Sequence, residues 1–427
     1  MLCIKKHYRQ CLLASLLIVY AYLPVSHAQT DEKISISPAK AEFNQLIQKV
    51  LPTHPRLIAA QAELDAATSL YNASTNAIYN PELELDAEET NIRTSTIGLS
   101  QTIDWGDQQG ANTLIAKFRL DAARSNFKQE RQKLIRDLLI ISGDYKNKIR
   151  LAALSNQRLK FMKNFYAVAK QKRAVGDLNQ VDLDLAQLAY SESIFKNAQV
   201  LADYANAEQS FYAMFDANFV SEKSLPEMES DFQDVALPVV LDPFLMSLPQ
   251  IQQTRAMVAA NKNIIALRQA ESSADPSIAI RGGREDKESL VGVTLTIPLN
   301  IRNSYNAEIK AAEKDYLQSE QLAQQAWKNL RRDIITQTRQ YQLTRKAWQQ
   351  WRQSGQNSIQ RQLNLLKRLW RAGDLSTTDY LVQIKQNLDT QSAGIELQSS
   401  LWSSWLNWLQ ATAQIESWLQ LNDIRNQ

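Results

Sequence analysis

The chain has 427 residues, of which only 11 are glycine and 11 are proline, and it carries 48 basic against 45 acidic residues. Such scarcity of glycine and proline argues against an all-β or a disordered chain and favours long helices. The near balance of charge argues against a nucleic-acid partner, because binding to phosphates needs a basic excess on one face.

The first 28 residues have the pattern of a secretory signal peptide. Lys5, Lys6 and Arg9 precede an apolar run over residues 11–23, and a Ser-His-Ala cleavage pattern ends at Ala28. The alternative, a membrane anchor, needs roughly 20 apolar residues, and this run is shorter. We therefore predict cleavage after Ala28 and export, which would also remove the excess of basic residues.

Cysteine usage agrees with an exported chain. Both cysteines, Cys3 and Cys11, lie in the predicted signal peptide, so the mature chain would have no disulfide in an oxidising compartment. No cysteine follows the cleavage site to carry a lipid. Beyond the signal peptide, no apolar stretch approaches the length of a membrane helix. If the exported chain enters a membrane, we expect it to do so by β-strands.

The remainder of the chain contains an internal repeat. Four landmarks recur in the same order in both halves at nearly constant separation. They are a helix-start proline (Pro55 and Pro249), a proline before alternating segments (Pro81 and Pro276), a strand glycine (Gly98 and Gly292) and a Gly-Asp-Leu turn (Gly176 to Leu178 and Gly373 to Leu375). Prolines and mixed charge at 219–244 predict a linker between a first repeat at 29–218 and a second repeat at 245–421, before a tail at 422–427.

Each repeat is predicted to contain a very long helical hairpin. From Asp107 to Lys172 there is no proline, and apolar residues recur at the heptad spacing of coiled coils. One row is Leu120, Phe127, Leu134 and Ile141, another is Leu138, Tyr145, Ala152, Leu159 and Tyr166, and the second repeat has Trp327, Ile334, Tyr341 and Trp348. Returning helices are predicted at 178–215 and 377–421, after the glycine turns.

Short segments after Pro81 and Pro276 alternate strictly and predict β-strands. The first strand puts Glu82, Glu84, Asp86 and Glu88 on one face and Leu83, Leu85 and Ala87 on the other. Segments at 97–103, 278–280 and 291–299 repeat the pattern, with lengths that suit membrane strands. Trp105 follows the second strand and would suit an aromatic girdle at a membrane surface.

The number of strands distinguishes two interpretations. An ordinary half-buried sheet in a soluble domain explains the alternation equally well. An open sheet of so few strands would, however, leave two free edges. Closure by several copies of the chain would remove those edges, and the acidic faces of Glu82, Glu84, Asp86 and Glu88 would then line a wet lumen.

This ordered, doubled set of motifs resembles the TolC-like outer membrane factors, the outer membrane efflux protein family, over about Phe43 to Leu421. The motifs that carry the resemblance are His54-Pro55, Pro81 with its strand, Gly98 to Ile103, Val175 to Asp182, and the counterparts at Pro249, Pro276, 292–298 and Gly373 to Asp379. Within the family the chain looks more like the heavy-metal and drug efflux branch.

The resemblance implies a mainly α fold with a small β part, in two structural repeats that each contain a long α-helical hairpin and a β-hairpin. A homotrimer would form a 12-strand outer-membrane β-barrel continued by a periplasmic α-barrel. The implied function is a passive exit duct of a tripartite efflux system in outer-membrane lipid. A periplasmic membrane-fusion adaptor and an inner-membrane transporter of the resistance–nodulation–division type would be its partners. No enzymatic activity and no cofactor are implied.

The resemblance also assigns the hairpin tips to adaptor contact. The matching residues are Arg173, Val175, Gly176, Asp177, Leu178, Arg371, Gly373, Asp374 and Leu375. A tight glycine turn with an exposed leucine would offer a small apolar knob for docking. The alternative is that each Gly-Asp-Leu is a helix stop followed by an Asp N-cap.

Asp379 matches an acidic position at the constricted periplasmic entrance of family members. Threefold symmetry would gather its carboxylates around the axis, where they attract cations and repel one another. Val382 stands where some relatives carry a second acid, which argues against a strong double ring. The alternative for Asp379 is a solvated aspartate at the start of a helix.

Catalytic or metal chemistry is not indicated by any motif. His54 is the only histidine after the predicted signal peptide, and its place before a helix-start proline favours a structural role. Gly282-Gly283 is interpreted as the end of a strand. Trp402, Trp405 and Trp408 recur at a helical spacing that favours interhelix packing over a ligand cage.

Two further function classes remain as alternatives. A periplasmic coiled-coil adaptor or scaffold also has long hairpins, but adaptors usually carry one hairpin, whereas the unit is doubled here. A hydrolase would need a nucleophile and a base, and no plausible pair is present in the sequence.

Overall fold

The computed structural model describes residues 38–215, 225–228, 232–354 and 356–421. The predicted signal peptide, the tail at 422–427 and part of the predicted linker lie outside these residues. Ser37–Gln427 form one compact unit, so both predicted repeats belong to the same body. Within the described residues, no helix is both long enough and apolar enough to cross a membrane.

The first repeat begins with helices and ends in a long hairpin. Its elements are α1 (Pro38–Val50), a 3₁₀ turn (Leu51–Thr53), α2 (Pro55–Ser74), β1 (Glu82–Glu89), β2 (Arg93–Thr102), α3 (Gln108–Ala174) and α4 (Gln180–Met214). Helix α3 has 67 residues and therefore extends about 100 Å. Both predicted heptad rows on α3 are buried or half-buried, which confirms the packing face inferred from the sequence.

The second repeat follows the same order of helices, strands and long hairpin. Its elements are α5 (Leu241–Ser247), α6 (Pro249–Glu271), β3 (Ser277–Glu285), β4 (Glu288–Thr296), α7 (Asn306–Ser354), α8 (Gln356–Ala372), α9 (Thr377–Ala411) and α10 (Ile415–Leu419). The counterpart of α3 is described as α7 and α8, on either side of residue 355, which lies outside the described residues. The prediction of one returning helix to residue 421 was wrong, because Ala413 adopts a left-handed φ of 56° and ends α9.

One antiparallel sheet joins the two repeats. Its four strands lie in the order β1-β2-β3-β4, so β1 and β4 are the edges. The central pairing, β2 with β3, joins one repeat to the other and places Gly98 opposite Arg281. At the tip of the second hairpin, Asp286 has φ 51° and its N–H donates to the carbonyl oxygen of Arg93 at 2.8 Å.

The largest core lies where α3, α4 and α9 pack with α1. Trp402, Trp405 and Trp408 are buried there, and Trp402 stacks on Phe43 with ring centroids 5.3 Å apart. The rings fill space between helices, as their spacing predicts. A second core, here called the tip cluster, lies next to the hairpin tips and includes residues of α3, α4, α8 and α9.

The described part of the predicted linker is packed against the helices. Leu225, Met228 and Phe232 are buried in the main core. Arg345 Nε donates to the carbonyl oxygen of Phe232 at 2.8 Å, and Lys146 Nζ donates to that of Leu225 at 3.0 Å. This segment therefore straps α7 to α3.

Candidate functional site

The sheet has one continuous apolar face, and that face is exposed. Leu83, Leu99, Ile280 and Val293 form a row across all the strands through direct cross-strand pairing, and they are 66%, 58%, 61% and 71% exposed. Leu85, Ile97, Val291 and Leu295 on the same face are also exposed. An apolar surface this continuous is not stable against water and marks an interaction site.

The opposite face of the sheet is strongly acidic. Glu82, Glu84, Asp86 and Glu88 lie on it together, and all are exposed, which confirms the separation of faces predicted for β1. One cross-strand row lies next to the turns of the two β-hairpins and consists of Glu88, Thr94, Glu285 and Glu288. Arg281 lies near the middle of this face, opposite Gly98 on one side and Gly292 on the other.

The two adjacent glycines of β3 lie inside the strand, so the interpretation of Gly282-Gly283 as a strand end was wrong. Gly282 pairs with Ile97 and Gly283 with Thr96. A Cβ built on Gly283 would lie 2.0 Å from the carbonyl oxygen of Ser95. Glycine is therefore required at Gly283 by the close approach of the neighbouring backbone, and the ladder continues because its hydrogen bonds need no side chain.

Asp275 organises the junction between the sheet and the helices, a role that sequence reasoning missed. The Tyr79 hydroxyl and the Gln108 side-chain amide each donate to its Oδ2 at 2.8 Å. The backbone N–H of Trp105 donates to its Oδ1 at 3.1 Å. The hydrogen bond to Asp275, together with burial, raises the pKa of Tyr79 above its usual value. Trp105 itself is 73% exposed.

Both hairpin tips end their first helix with the same glycine turn. Gly176 N–H donates to the carbonyl oxygen of Arg173 at 3.1 Å, and Asp177 N–H donates to that of Lys172 at 2.9 Å. Gly373 and Asp374 repeat this pattern in the second repeat. This is the Schellman arrangement, which needs a left-handed residue, and the glycines have φ of 83° and 84°.

The exposed residues of the tips differ from the expectation. Leu178 and Leu375 are half-buried and pack against the tip cluster, so the expected exposed leucine is wrong. Val175 is instead an exposed apolar side chain of the first tip, at 80% exposure. Arg173, Asp177, Arg371 and Asp374 are also exposed.

The returning helices begin without an aspartate N-cap, contrary to the alternative considered from the sequence. Asn179 caps α4 by accepting from Asp182 N–H at 2.8 Å. Ser376 caps α9 by accepting from Asp379 N–H at 3.0 Å, and its hydroxyl contacts Asp379 Oδ2 at 2.6 Å. Asp379 is thus an exposed member of a capping pair, and Val382 is exposed one turn later.

The two hairpins of one chain are joined immediately behind their tips. Within the second hairpin, the indole of Trp370 stacks on the ring of Tyr380 at 4.9 Å with planes 5° apart. Lys172 Nζ pairs with Asp177 at 3.2 Å and lies over the Trp370 ring at 5.6 Å from its centroid. Sequence reasoning did not single out Lys172 or Trp370.

His54 has a structural role, as its position before a proline predicts. Its Nδ1 accepts from the backbone N–H of Arg56 at 3.2 Å and so caps α2. Burial, with the nearby Arg56 charge, lowers the pKa of His54. No cluster of three or more His, Cys, Asp and Glu suited to a metal ion occurs among the residues that the structure describes.

Two comparisons with known sequences find outer membrane efflux proteins and a metal-resistance protein. The family model for outer membrane efflux protein matches residues 46–215. The cobalt-zinc-cadmium resistance protein CzcC of Cupriavidus metallidurans is 21% identical over 373 residues, which cover 78% of this chain and 85% of CzcC.

Solved structures share the fold. The CmeC outer membrane channel of Campylobacter jejuni has a TM-score of 0.73 at 14% identity, over 90% of this chain and 91% of CmeC. The open-state MtrE outer membrane channel of Neisseria gonorrhoeae has a TM-score of 0.70 at 13% identity, over 87% of this chain and 89% of MtrE. The predicted fold class, mainly α with a small sheet, is confirmed. The chain is thus similar to outer membrane efflux proteins over residues 46–215 and shares the fold of these outer membrane channels.

Proposed function

We propose that this chain assembles as a homotrimer into the passive outer-membrane exit duct of a tripartite efflux system. The observation that carries the proposal is the sheet, which has one exposed apolar face, one acidic face and two unpaired edges. Lipid accommodates the apolar face, but unpaired backbone groups in lipid cost several kcal/mol each. Pairing the edges of neighbouring copies satisfies both requirements.

In this assembly the acidic face lines the lumen. Glu82, Glu84, Asp86 and Glu88 from each copy give the passage a negative potential that concentrates cations. The relative CzcC carries cobalt, zinc and cadmium resistance in its name, which supports metal cations as a cargo class. The duct itself conducts what a pump delivers and performs no reaction.

The hairpin tips are the proposed docking points for a periplasmic adaptor, which links the duct to an inner-membrane transporter of the resistance–nodulation–division type. Val175 provides the apolar contact and Arg173, Asp177, Arg371 and Asp374 provide the polar rim, around the turns at Gly176 and Gly373. Leu178 and Leu375 support the turns from behind. Asp379 faces the entrance, where its copies gather around the axis.

The experiment is a conductance measurement on the purified full chain in planar lipid bilayers. We expect outer-membrane fractionation, a heat-sensitive trimer in SDS gels and cation-selective channels. A variant with Glu82→Gln, Glu84→Gln, Asp86→Asn and Glu88→Gln should keep the trimer but lose cation selectivity, because the lining charge is removed.

A matched control places the same kind of change outside the sheet. Glu63→Gln and Asp65→Asn alter exposed acids of α2 and should leave selectivity unchanged. A stable monomer that stays in buffer without detergent would refute the proposed duct. Channels whose selectivity does not respond to the β1 changes would refute the assignment of the acidic face to the lumen.

A further inference from the structure

The two free edges of the sheet are suited to one another. Because the strands alternate in direction along the order β1-β2-β3-β4, β4 of one copy can pair in antiparallel fashion with β1 of a second copy. Both strands carry polar residues on one face and apolar residues on the other. If the polar faces of β4 and the neighbouring β1 lie on the same side of the joined sheet, polar residues pair with polar residues and apolar residues with apolar residues.

The internal repeat indicates how these edges align. Ile97-Gly98-Leu99 of β2 corresponds to Val291-Gly292-Val293 of β4, and Asp86 of β1 and Arg281 of β3 lie at the same step after Pro81 and Pro276. Within the chain, β2 pairs with β3 so that Gly98 lies opposite Arg281. Transferred to the next copy, the same register places Gly292 opposite Asp86.

Arg281 extends toward this free edge. A Cβ built on Gly292 would lie 3.1 Å from Arg281 Nε and 3.4 Å from its Cγ, so the side chain crosses the strand at the position that lacks a side chain. The Arg281 side chain therefore lies over Gly292 of the edge strand β4. The side chain of Arg281 makes no hydrogen bond or ion pair with the residues that the structure describes.

The opposite edge supplies acids at every polar-face position. Glu82, Glu84, Asp86 and Glu88 alternate along β1 and are all exposed. A change of register by one pairing step of two residues would place Glu88 rather than Asp86 opposite Gly292. A carboxylate faces Arg281 in either case.

We propose that Arg281 closes the seam between two copies of this chain by pairing, over Gly292, with a carboxylate of the neighbouring copy's β1. Asp86 is the partner in the register that the repeat implies. The inference rests on the proposed trimeric duct and specifies one contact within it. A charge-assisted contact across the seam fixes the register of the pairing and neutralises part of the acidic lining.

Disulfide cross-linking tests the register. The only cysteines are Cys3 and Cys11, in the predicted signal peptide, so cross-links report introduced pairs. Thr294→Cys is combined in turn with Glu82→Cys, Glu84→Cys, Asp86→Cys and Glu88→Cys, with Leu85→Cys on the apolar face as the control. We expect oxidation to link copies in the Glu84→Cys pair.

Each of the other cross-linking results either supports or overturns the proposal. A cross-link in the Asp86→Cys pair places Glu88 opposite Gly292, and one in the Glu82→Cys pair places Glu84 there. Either result supports the proposal with that acid. A cross-link only in the Glu88→Cys pair places no acid there and overturns the ion pair. An intact trimer without any cross-link overturns the seam itself.

Charge reversal tests the ion pair. Arg281→Glu should shift the dissociation temperature of the SDS-resistant trimer downward, and adding Asp86→Lys should restore it. Arg284→Glu, three residues along on the apolar face opposite Ser95, is the control and should have a smaller effect on the seam. If Arg281→Glu forms a trimer of unchanged dissociation temperature, the ion pair is refuted while the duct stands. If the unaltered chain forms no trimer, the proposed function fails and the seam fails with it.

Discussion

The indole of Trp402 lies directly against Gly143, where α9 crosses α3. A Cβ built on Gly143 would lie 2.5 Å from Trp402 Cδ1, and the indole N–H donates to the carbonyl oxygen of Leu139 at 2.9 Å. The contact explains why a glycine interrupts a helix that otherwise contains good helix formers. Gly394 of α9 meets Trp351 of α7 in the same way.

Gly143→Ala should therefore destabilise the protein, although alanine favours helices. Helix propensity alone predicts a gain of about 1 kcal/mol, whereas forcing a methyl group into a packed contact costs about 1–3 kcal/mol or more. We expect a lower temperature for loss of helical circular dichroism. Gly282→Ala, where the nearest atom to a new Cβ is 3.8 Å away, is the control. Equal unfolding temperatures for the two variants would contradict the contact.

At the two glycine turns of the helical tips, the effect of an added charge can be measured separately from the effect of adding a side chain to a left-handed residue. Gly176→Asp with Gly373→Asp should abolish efflux while trimer level and membrane insertion persist, because no atom lies within 4 Å of a Cβ at either position. Gly176→Asn with Gly373→Asn is the matched control, since asparagine tolerates the left-handed conformation and is neutral. Metal or drug tolerance of cells reports efflux. Unchanged tolerance in the aspartate variant would refute docking at the tips.

Asp275→Asn should loosen the junction between the sheet and the helices. The variant loses the charge that accepts from Tyr79, Gln108 and the Trp105 N–H, and a hydrogen bond to a charged group contributes about 1.5–3 kcal/mol. We expect destabilisation of about 1–3 kcal/mol in denaturant unfolding. Asp286→Asn, at the exposed tip of the second hairpin, should be nearly neutral. Similar losses in both variants would argue against a special role of Asp275.

His54 should make stability depend on pH below neutrality. Its folded-state pKa is lowered from 6.5, so the unfolded chain binds the proton more readily and stability falls as pH drops below about 6.5. Protonation also removes the Nδ1 lone pair that caps α2. His54→Asn keeps a good N-cap without titration, and its unfolding temperature should change less between pH 7 and pH 5. The same pH response in both proteins would exclude His54 as the cause.

The long hairpins and the two-faced strands could be predicted because both follow from periodicity. Heptad spacing at Leu134 and Leu138 fixes the buried face of α3, and alternation at Leu83 and Glu84 fixes the faces of β1. Both signals depend on residue type along one element. They need no knowledge of which elements meet.

Features that depend on meeting elements could not be predicted in this way. Gly283 lies inside β3, where a glycine is needed because the backbone of Ser95 on the neighbouring strand approaches closely. Leu178 turns inward because the tip cluster lies behind it, and Val175 is left outside. Asp275 gathers donors from segments far apart in the chain, for which the sequence contains no local pattern.

Helix α3 runs without interruption from the sheet junction at Gln108 to the tip at Ala174. A rod of that length acts as a lever whose pivot lies beside Asp275 and whose far end is the proposed docking surface. A sideways displacement there grows in proportion to distance from the pivot, so a rotation of a few degrees at the junction moves the far end by several ångströms. The hydrogen bonds to Asp275 at the junction therefore limit how far the distant end of α3 can move sideways.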